Sequence, residues 1–195
     1  MGCPSCVMTA PKPTLELSLS MTTEFTEDEL QKWFAAFKNN CPKGKMSQSK
    51  FCEMYAKSYK TGDASIFAGH VFRTFDKNND GTIDFNEFIQ GLSIISRGSK
   101  ETKLRWAFEI YDSDGSGEVS KKEMLEIVRS IFRLAGEEVT AKLPRDENTP
   151  EKFTSKLFLK LDGDKSGSIN QTEFIRGAQC YPSFMKLLEN PASVR

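Results

Sequence analysis

Apolar residues recur along this chain at helical spacing, in runs separated by short polar segments that each carry a glycine. Thr26-Glu27-Asp28-Glu29 is a capping box, and Leu30, Trp33, Phe34 and Phe37 follow at i, i+3, i+4 and i+7. This predicts an amphipathic helix opening after Thr26 and running to about Lys38. The same reasoning predicts helices over Ser49 to about Tyr59, Ala64 to Phe75, Phe85 to Ser96, Lys100 to Tyr111 and Lys121 to Ala135. Pro150 suits the first turn of a helix capped by Thr149 and ending at Leu161. Thr172 to Gln179 forms another, and Pro182 starts a last short helix through Leu188. Residues 136–149, with Pro144 and four acids, read as a loop. The fold class is all-α.

The polar segments repeat one another. DKNNDGTIDFNE (Asp76 to Glu87), DSDGSGEVSKKE (Asp112 to Glu123) and DGDKSGSINQTE (Asp162 to Glu173) align without gaps. Each has Asp first, Asp or Asn third, Asp or Ser fifth, Gly sixth and Glu twelfth. That is the pattern of the EF-hand calcium loop, in which six to eight oxygens surround a hard cation at about 2.3–2.6 Å. The expected ligands are Asp76, Asn78, Asp80, Thr82 and Glu87 in the first of these segments; Asp112, Asp114, Ser116, Glu118 and Glu123 in the next; and Asp162, Asp164, Ser166, Ser168 and Glu173 in the last. Thr82, Glu118 and Ser168 contribute backbone carbonyls, and Asp84, Ser120 and Asn170 at position 9 act through water. A plain acidic loop would have to explain the same glycine and glutamate at fixed offsets three times. Without a cation, three or four converging carboxylates repel one another.

Position 8 is apolar each time, Ile83, Val119 and Ile169, as a short strand pairing two loops requires. Pairing implies an even number of hands. A spacing of 36 positions between Asp76 and Asp112 directs attention to Asn39 to Lys50, NNCPKGKMSQSK, with Gly44 sixth and Met46 eighth. This first loop is built not to bind. Asn39 replaces the first Asp, Pro42 stiffens the curl, Lys43 stands at position 5 and Lys50 replaces the bidentate Glu. Four EF-hands in two paired lobes, with short antiparallel pairing between loops, are therefore expected. The lobes span residues 22–97 and 98–190, joined at Ser96-Arg97-Gly98-Ser99 and flanked by a mobile tail (1–21) and a short end (191–195).

Composition narrows the function. Lys plus Arg equals Asp plus Glu at 27 each, which argues against a basic nucleic-acid-binding face, and 15 Phe argue against whole-chain disorder. No apolar run reaches the roughly 18 residues of a membrane-spanning helix, and no secretory leader is expected. The five cysteines are too scattered for a disulfide framework, which favours a reducing compartment. The lone His70 belongs to no nucleophile–base motif, so an enzyme is not expected. The second loop carries four acids at ligand positions (Asp76, Asp80, Asp84, Glu87) against three in each of the next two, which leans toward tighter binding there. Three calcium sites are expected, one of them open to magnesium at resting calcium.

Cys41-Pro42-Lys43-Gly44, Lys103-Leu104-Arg105-Trp106-Ala107-Phe108 and Glu147-Asn148-Thr149-Pro150-Glu151-Lys152 resemble segments of the neuronal calcium sensor family, the recoverin, visinin-like and hippocalcin group. The resemblance covers residues 22–190 and includes the disabled first hand. It implies a sensor in which calcium exposes an apolar groove for an amphipathic helix of a target such as a receptor kinase, cyclase, lipid kinase or channel. Carried over by position, the groove is Phe25, Trp33, Phe34, Tyr55, Phe85, Phe88 and Leu92. Periodicity alone reads the same residues as ordinary core. The competing function is a cytosolic calcium buffer without a target.

Met1-Gly2-Cys3-Pro4-Ser5-Cys6 adds a membrane signal. Gly2 is the acceptor for N-myristoylation once Met1 is removed, although Cys6 stands where the pattern wants Ser or Thr. One myristoyl chain gives only marginal membrane binding, with a constant of about 10⁴ M⁻¹. Lys12 is the only basic residue among the first 21, so no polybasic patch adds a second signal. Palmitoylation of Cys3, and of Cys6, would supply it. The expected location is the cytosol and the cytoplasmic face of membranes.

Overall fold

A computed structural model describes residue 19 and residues 23–57, 62–141, 143–181 and 184–185. Helix α1 (Glu27–Asn40) starts at the predicted box: Thr26 caps the Glu29 amide, and the Glu29 carboxylate accepts the Thr26 amide at 2.9 Å. Three acids in its first turn and Lys38 in its last complement the helix dipole. Then follow β1 (Lys45–Ser47), α2 (Gln48–Lys57), α3 (Ser65–Phe75), β2 (Thr82–Asp84) and α4 (Phe85–Arg97). The second half repeats the scheme with α5 (Lys100–Tyr111), β3 (Glu118–Ser120), α6 (Lys121–Ala135), α7 (Glu137–Thr140), α8 (Pro150–Leu161), β4 (Ser168–Asn170) and α9 (Gln171–Cys180).

Helices α5, α6 and α8 have the predicted bounds, α1, α3, α4 and α9 differ from prediction by one or two residues, α2 starts one residue early, and its predicted end at Tyr59 lies outside the described residues. The segment after α6 departs from expectation, because residues 136–149 contain a helical turn. Gly136, at φ +77°, breaks α6, and the chain re-forms a turn in which the Thr140 and Ala141 amides reach Gly136 O and Glu137 O at 3.2 and 2.9 Å. Only Phe184 and Met185 of the predicted last helix are described, and both are helical.

Two small antiparallel sheets tie the loops in pairs. β1 pairs with β2, with Met46 opposite Ile83, and β3 pairs with β4, with Val119 opposite Ile169. All four of these side chains are fully buried, since alternation turns position 8 inward while its neighbours face out. The silent first loop thus does pair with the second.

The two loop pairs share one core. A continuous apolar cluster runs from Phe37, Met46 and Phe51 through Val71, Phe72 and Phe75 to Leu104, Ile127, Leu134, Phe153 and Phe184. Helix α3 packs on both α5 and α6. The backbone seals this contact, with the Asp63 amide donating to Arg133 O at 3.0 Å. The sequence left open whether the halves touch, and they do. Leu19, which the sequence places in the tail, is buried with Phe25, Leu30 and Ile89 in a second small cluster. The other residues of 1–21 lie outside the described residues. No helix among the described residues is long and apolar enough to cross a membrane.

Candidate metal centres

The helices deliver the first ligand position of each complete loop in the same way. Helices α3, α5 and α8 end on Asp76, Asp112 and Asp162, whose amides still donate to Phe72 O, Phe108 O and Phe158 O at 2.9, 2.9 and 3.0 Å. The backbone then turns through Gly81, Gly117 and Gly167 at φ +79°, +86° and +87°. Nothing lies within 4 Å of a Cβ added at these glycines, so backbone conformation rather than space demands glycine. Their amides point back to Asp76, Asp112 and Asp162 Oδ2 at 2.9, 2.9 and 3.1 Å. One carboxylate thus organises the whole curl.

Position 12 closes each loop on itself. Glu123 Oε1 accepts the Ser113 amide at 2.9 Å and Oε2 accepts the Ser120 amide at 2.9 Å. Glu173 does the same with Gly163 and Asn170 at 3.0 and 3.1 Å, and Glu87 with Asn78 and Asp84 at 3.3 and 3.0 Å. The sequence reading took position 9 as a ligand through water. Asp84, Ser120 and Asn170 are also the N-caps of α4, α6 and α9, and each forms a capping box with its glutamate. The signal was legible as a capping residue three positions before Glu. The same glutamate therefore fits both the loop and the start of the outgoing helix.

In the third loop one carboxylate oxygen each from Asp112, Asp114 and Glu123 lie within 4.8 Å of one another, as do those of Asp162, Asp164 and Glu173 in the fourth. Three anionic oxygens at that spacing, with a hydroxyl-bearing residue at position 5 (Ser116, Ser166), fit a hard divalent cation. Ser116 and Ser166 are held over the carbonyls of Glu118 and Ser168 at 3.0 Å. The Ser116 and Ser166 hydrogen bonds hold the Asp114 and Asp164 carboxyls below the usual carboxylate range.

The second loop is arranged differently. Asn78 occupies position 3, and Asp76 and Glu87 are buried. Asp80 Oδ1 accepts the Thr82 amide at 2.8 Å, while Oδ2 takes an ion pair from Lys45 Nζ at 2.6 Å. Lys45 pulls the Asp80 carboxyl down to about 2. Sequence reasoning missed Lys45, because its partner lies 35 residues away on another loop. In the first loop, Lys50 at position 12 turns outward to Glu53 at 3.3 Å, and Cys41 is buried.

Of the carried-over groove residues, Phe25, Trp33, Phe34, Phe85 and Phe88 gather in one aromatic cluster where α1 meets the start of α4. Trp33 packs edge-on against Phe25 and Phe88 (centroids 6.5 and 6.2 Å apart), and Phe34 against Phe85 (5.0 Å). Phe85 and Phe88 both touch Phe37. Tyr55 stacks on Phe51 and tilts against Phe67, and Leu92 packs on the cluster of Leu19, Phe25, Leu30 and Ile89. Phe25 is buried; Phe34, Tyr55, Phe85, Phe88 and Leu92 are half-buried; Trp33 is 37% exposed. Gly2, Cys3 and Cys6 lie outside the described residues. Cys41, Cys52 and Cys180 are free thiols.

Comparison with known proteins agrees with this geometry. Residues 101–179 match the EF-hand domain pair and residues 69–95 the EF hand domain. The chain is 40% identical to S-modulin of Aquarana catesbeiana over 171 residues, 88% of this chain and 85% of the relative. It is 40% identical to human recoverin over 88% of this chain and 86% of recoverin. It is 42% identical to neuronal calcium sensor 1 of Lymnaea stagnalis over 87% and 88% of the two chains. With repeated loops, paired strands and relatives matched across most of its length, the chain belongs to the neuronal calcium sensor family of EF-hand proteins.

Proposed function

We propose that this protein binds calcium at its second, third and fourth loops, with magnesium able to hold one of them at rest, and thereby regulates a membrane-associated target. The expected ligands are the residues at positions 1, 3, 5, 7 and 12 of each loop. A bound ion supplies the positive charge that offsets carboxylate repulsion. Glu87, Glu123 and Glu173 span both ends of their loops and cap α4, α6 and α9, so a change in their engagement turns the outgoing helix against the incoming one. In the second hand that helix carries Phe85 at position 10 of the loop and Phe88 directly after it.

The observation that carries the reading is an aromatic cluster beside the second loop in which Phe25 is buried but Trp33, Phe34, Phe85 and Phe88 keep exposed surface. Such rings offer large contact area at low entropic cost to the apolar face of an amphipathic helix, in keeping with targets of the receptor-kinase, cyclase, lipid-kinase or channel type. Myristate at Gly2 and palmitate at Cys3 and Cys6 would give two or more chains and durable anchoring at the cytoplasmic face. A buffer without a target needs no such surface.

The test is calorimetric titration of calcium into the full chain and into Glu87→Gln, Glu123→Gln and Glu173→Gln variants, with retention on a phenyl resin in calcium and in chelator. Loss of one binding event per variant and calcium-dependent retention are expected. Three events with equal retention in chelator would make the protein a buffer.

A further inference from the structure

The loops within each pair address one another through position 7 of the leading loop. In the second pair that residue is Glu118, whose Oε2 accepts the Ser168 hydroxyl at 2.6 Å across the sheet, so an anion leans on the fourth loop. In the first pair it is Lys45. Its strand partner is Asp84, and its ammonium reaches Asp80 Oδ2 at 2.6 Å. Asp80 is the sole carboxylate among positions 3 and 5 of the second loop, and Asp84 and Glu87 also face the Lys45 charge. Three of the four acids that favour tight binding by count thus face a permanent cation from a neighbouring loop.

We propose that Lys45 is a built-in counter-cation that lowers the divalent-ion affinity of the second loop. In the metal-free chain it offsets repulsion among Asp80, Asp84 and Glu87. For Asp80 to serve a calcium ion, the ion pair must open, and a dipositive ion must enter a loop that already holds a positive charge. The leading loop, itself disabled, thereby raises the calcium level at which the hand beside the aromatic cluster fills. The inference rests on the reading that the second loop binds calcium.

The amides of Gly81, Gly117 and Gly167, each bonded to the first Asp of its own loop, give a separate reporter for every site in nitrogen–proton spectra of the full chain. Calcium is titrated at low salt into the parent chain, Lys45→Gln and Lys43→Gln, which removes an exposed charge two residues away in the same loop. An exposed pair of this kind corresponds to about a two- to fivefold change in affinity. The Gly81 midpoint is expected to fall by that factor in Lys45→Gln alone, with Gly117 and Gly167 unmoved, and the difference is expected to shrink at high salt. An unmoved Gly81 midpoint, or an equal fall in Lys43→Gln, overturns the proposal while the binding reading stands. A Gly81 signal that never responds in any of the three proteins overturns both.

Discussion

Arg73 and Ile110 join the two loop pairs: the guanidinium at the end of α3 donates to Ile110 O at 2.9 Å and to Glu109 O at 3.2 Å, in the last turn of α5. Both helices run into EF-hand loops, the second and the third. The last carbonyls of a helix lack intrahelical partners, and one guanidinium nitrogen, Arg73 Nη2, satisfies two of them while its charge complements the negative end of the dipole. Lys77 reinforces the contact with an ion pair to Glu109 at 2.6 Å.

Replacing Arg73 by Met keeps the packing stem and removes both donors. The expected loss is about 1–2 kcal/mol of stability. Urea unfolding in chelator measures it, and Arg73→Lys, which keeps the charge without the planar guanidinium and its reach, recovers only part.

Gly91 and Gly177 occupy equivalent places, four residues beyond Glu87 and Glu173. A Cβ at Gly91 would lie 2.4 Å from the Phe75 ring, and one at Gly177 would lie 1.6 Å from Leu161 Cδ2. Phe75 is wedged against Phe51 and Trp106 and cannot yield, whereas a leucine methyl can rotate away. Gly91→Ala is therefore expected to destabilise by about 1–3 kcal/mol through overpacking. Gly177→Ala costs less, because relief of the clash combines with a gain of about 1 kcal/mol in helix propensity. Thermal melts of the two variants side by side test the ranking.

Glu147 is buried, and its Oε1 accepts from both Lys156 Nζ and Tyr181 Oη at 2.5 Å. Burial pushes its carboxyl up, but the ammonium and the phenol outweigh this and hold it below the usual range. Glu147→Gln removes the charge while Lys156 keeps Asp146 at 2.6 Å. A loss of about 1–3 kcal/mol in unfolding free energy is expected, and Tyr181 fluorescence should report loosening at the end of α9.

Arg97, at the end of α4, reaches Glu29 in α1 and the carbonyl of Glu24, with its guanidinium 4.5 Å from the centre of the Phe25 ring. The Arg97 contact and the Thr26 amide hold the Glu29 carboxyl at about 2, against an ordinary 4.5. A depressed carboxylate contributes stability that is present above its unfolded value and lost as pH falls toward the folded one. In chelator, the parent chain is therefore expected to lose more stability than Arg97→Met between pH 4.5 and 2. Parallel pH dependences in the two proteins would show that the pair contributes nothing.

Much of this architecture is local and so was readable from one chain. Glycine at position 6 and the helix caps act over three to six residues, and the buried residue at position 8 follows from strand alternation, so three complete loops, a fourth disabled one and their pairing followed from spacing. The ion pair of Lys45 with Asp80, the seat of Arg73 on the end of α5, the burial of Leu19 and the seat of Glu147 beneath Tyr181 were decided only by the tertiary structure. Each joins groups up to some seventy residues apart, whose approach depends on how helices cross and pack. Charge counting along the chain ranked the second loop by its own acids. Folding brought a lysine from the preceding loop against one of them, a relation that no local pattern encodes.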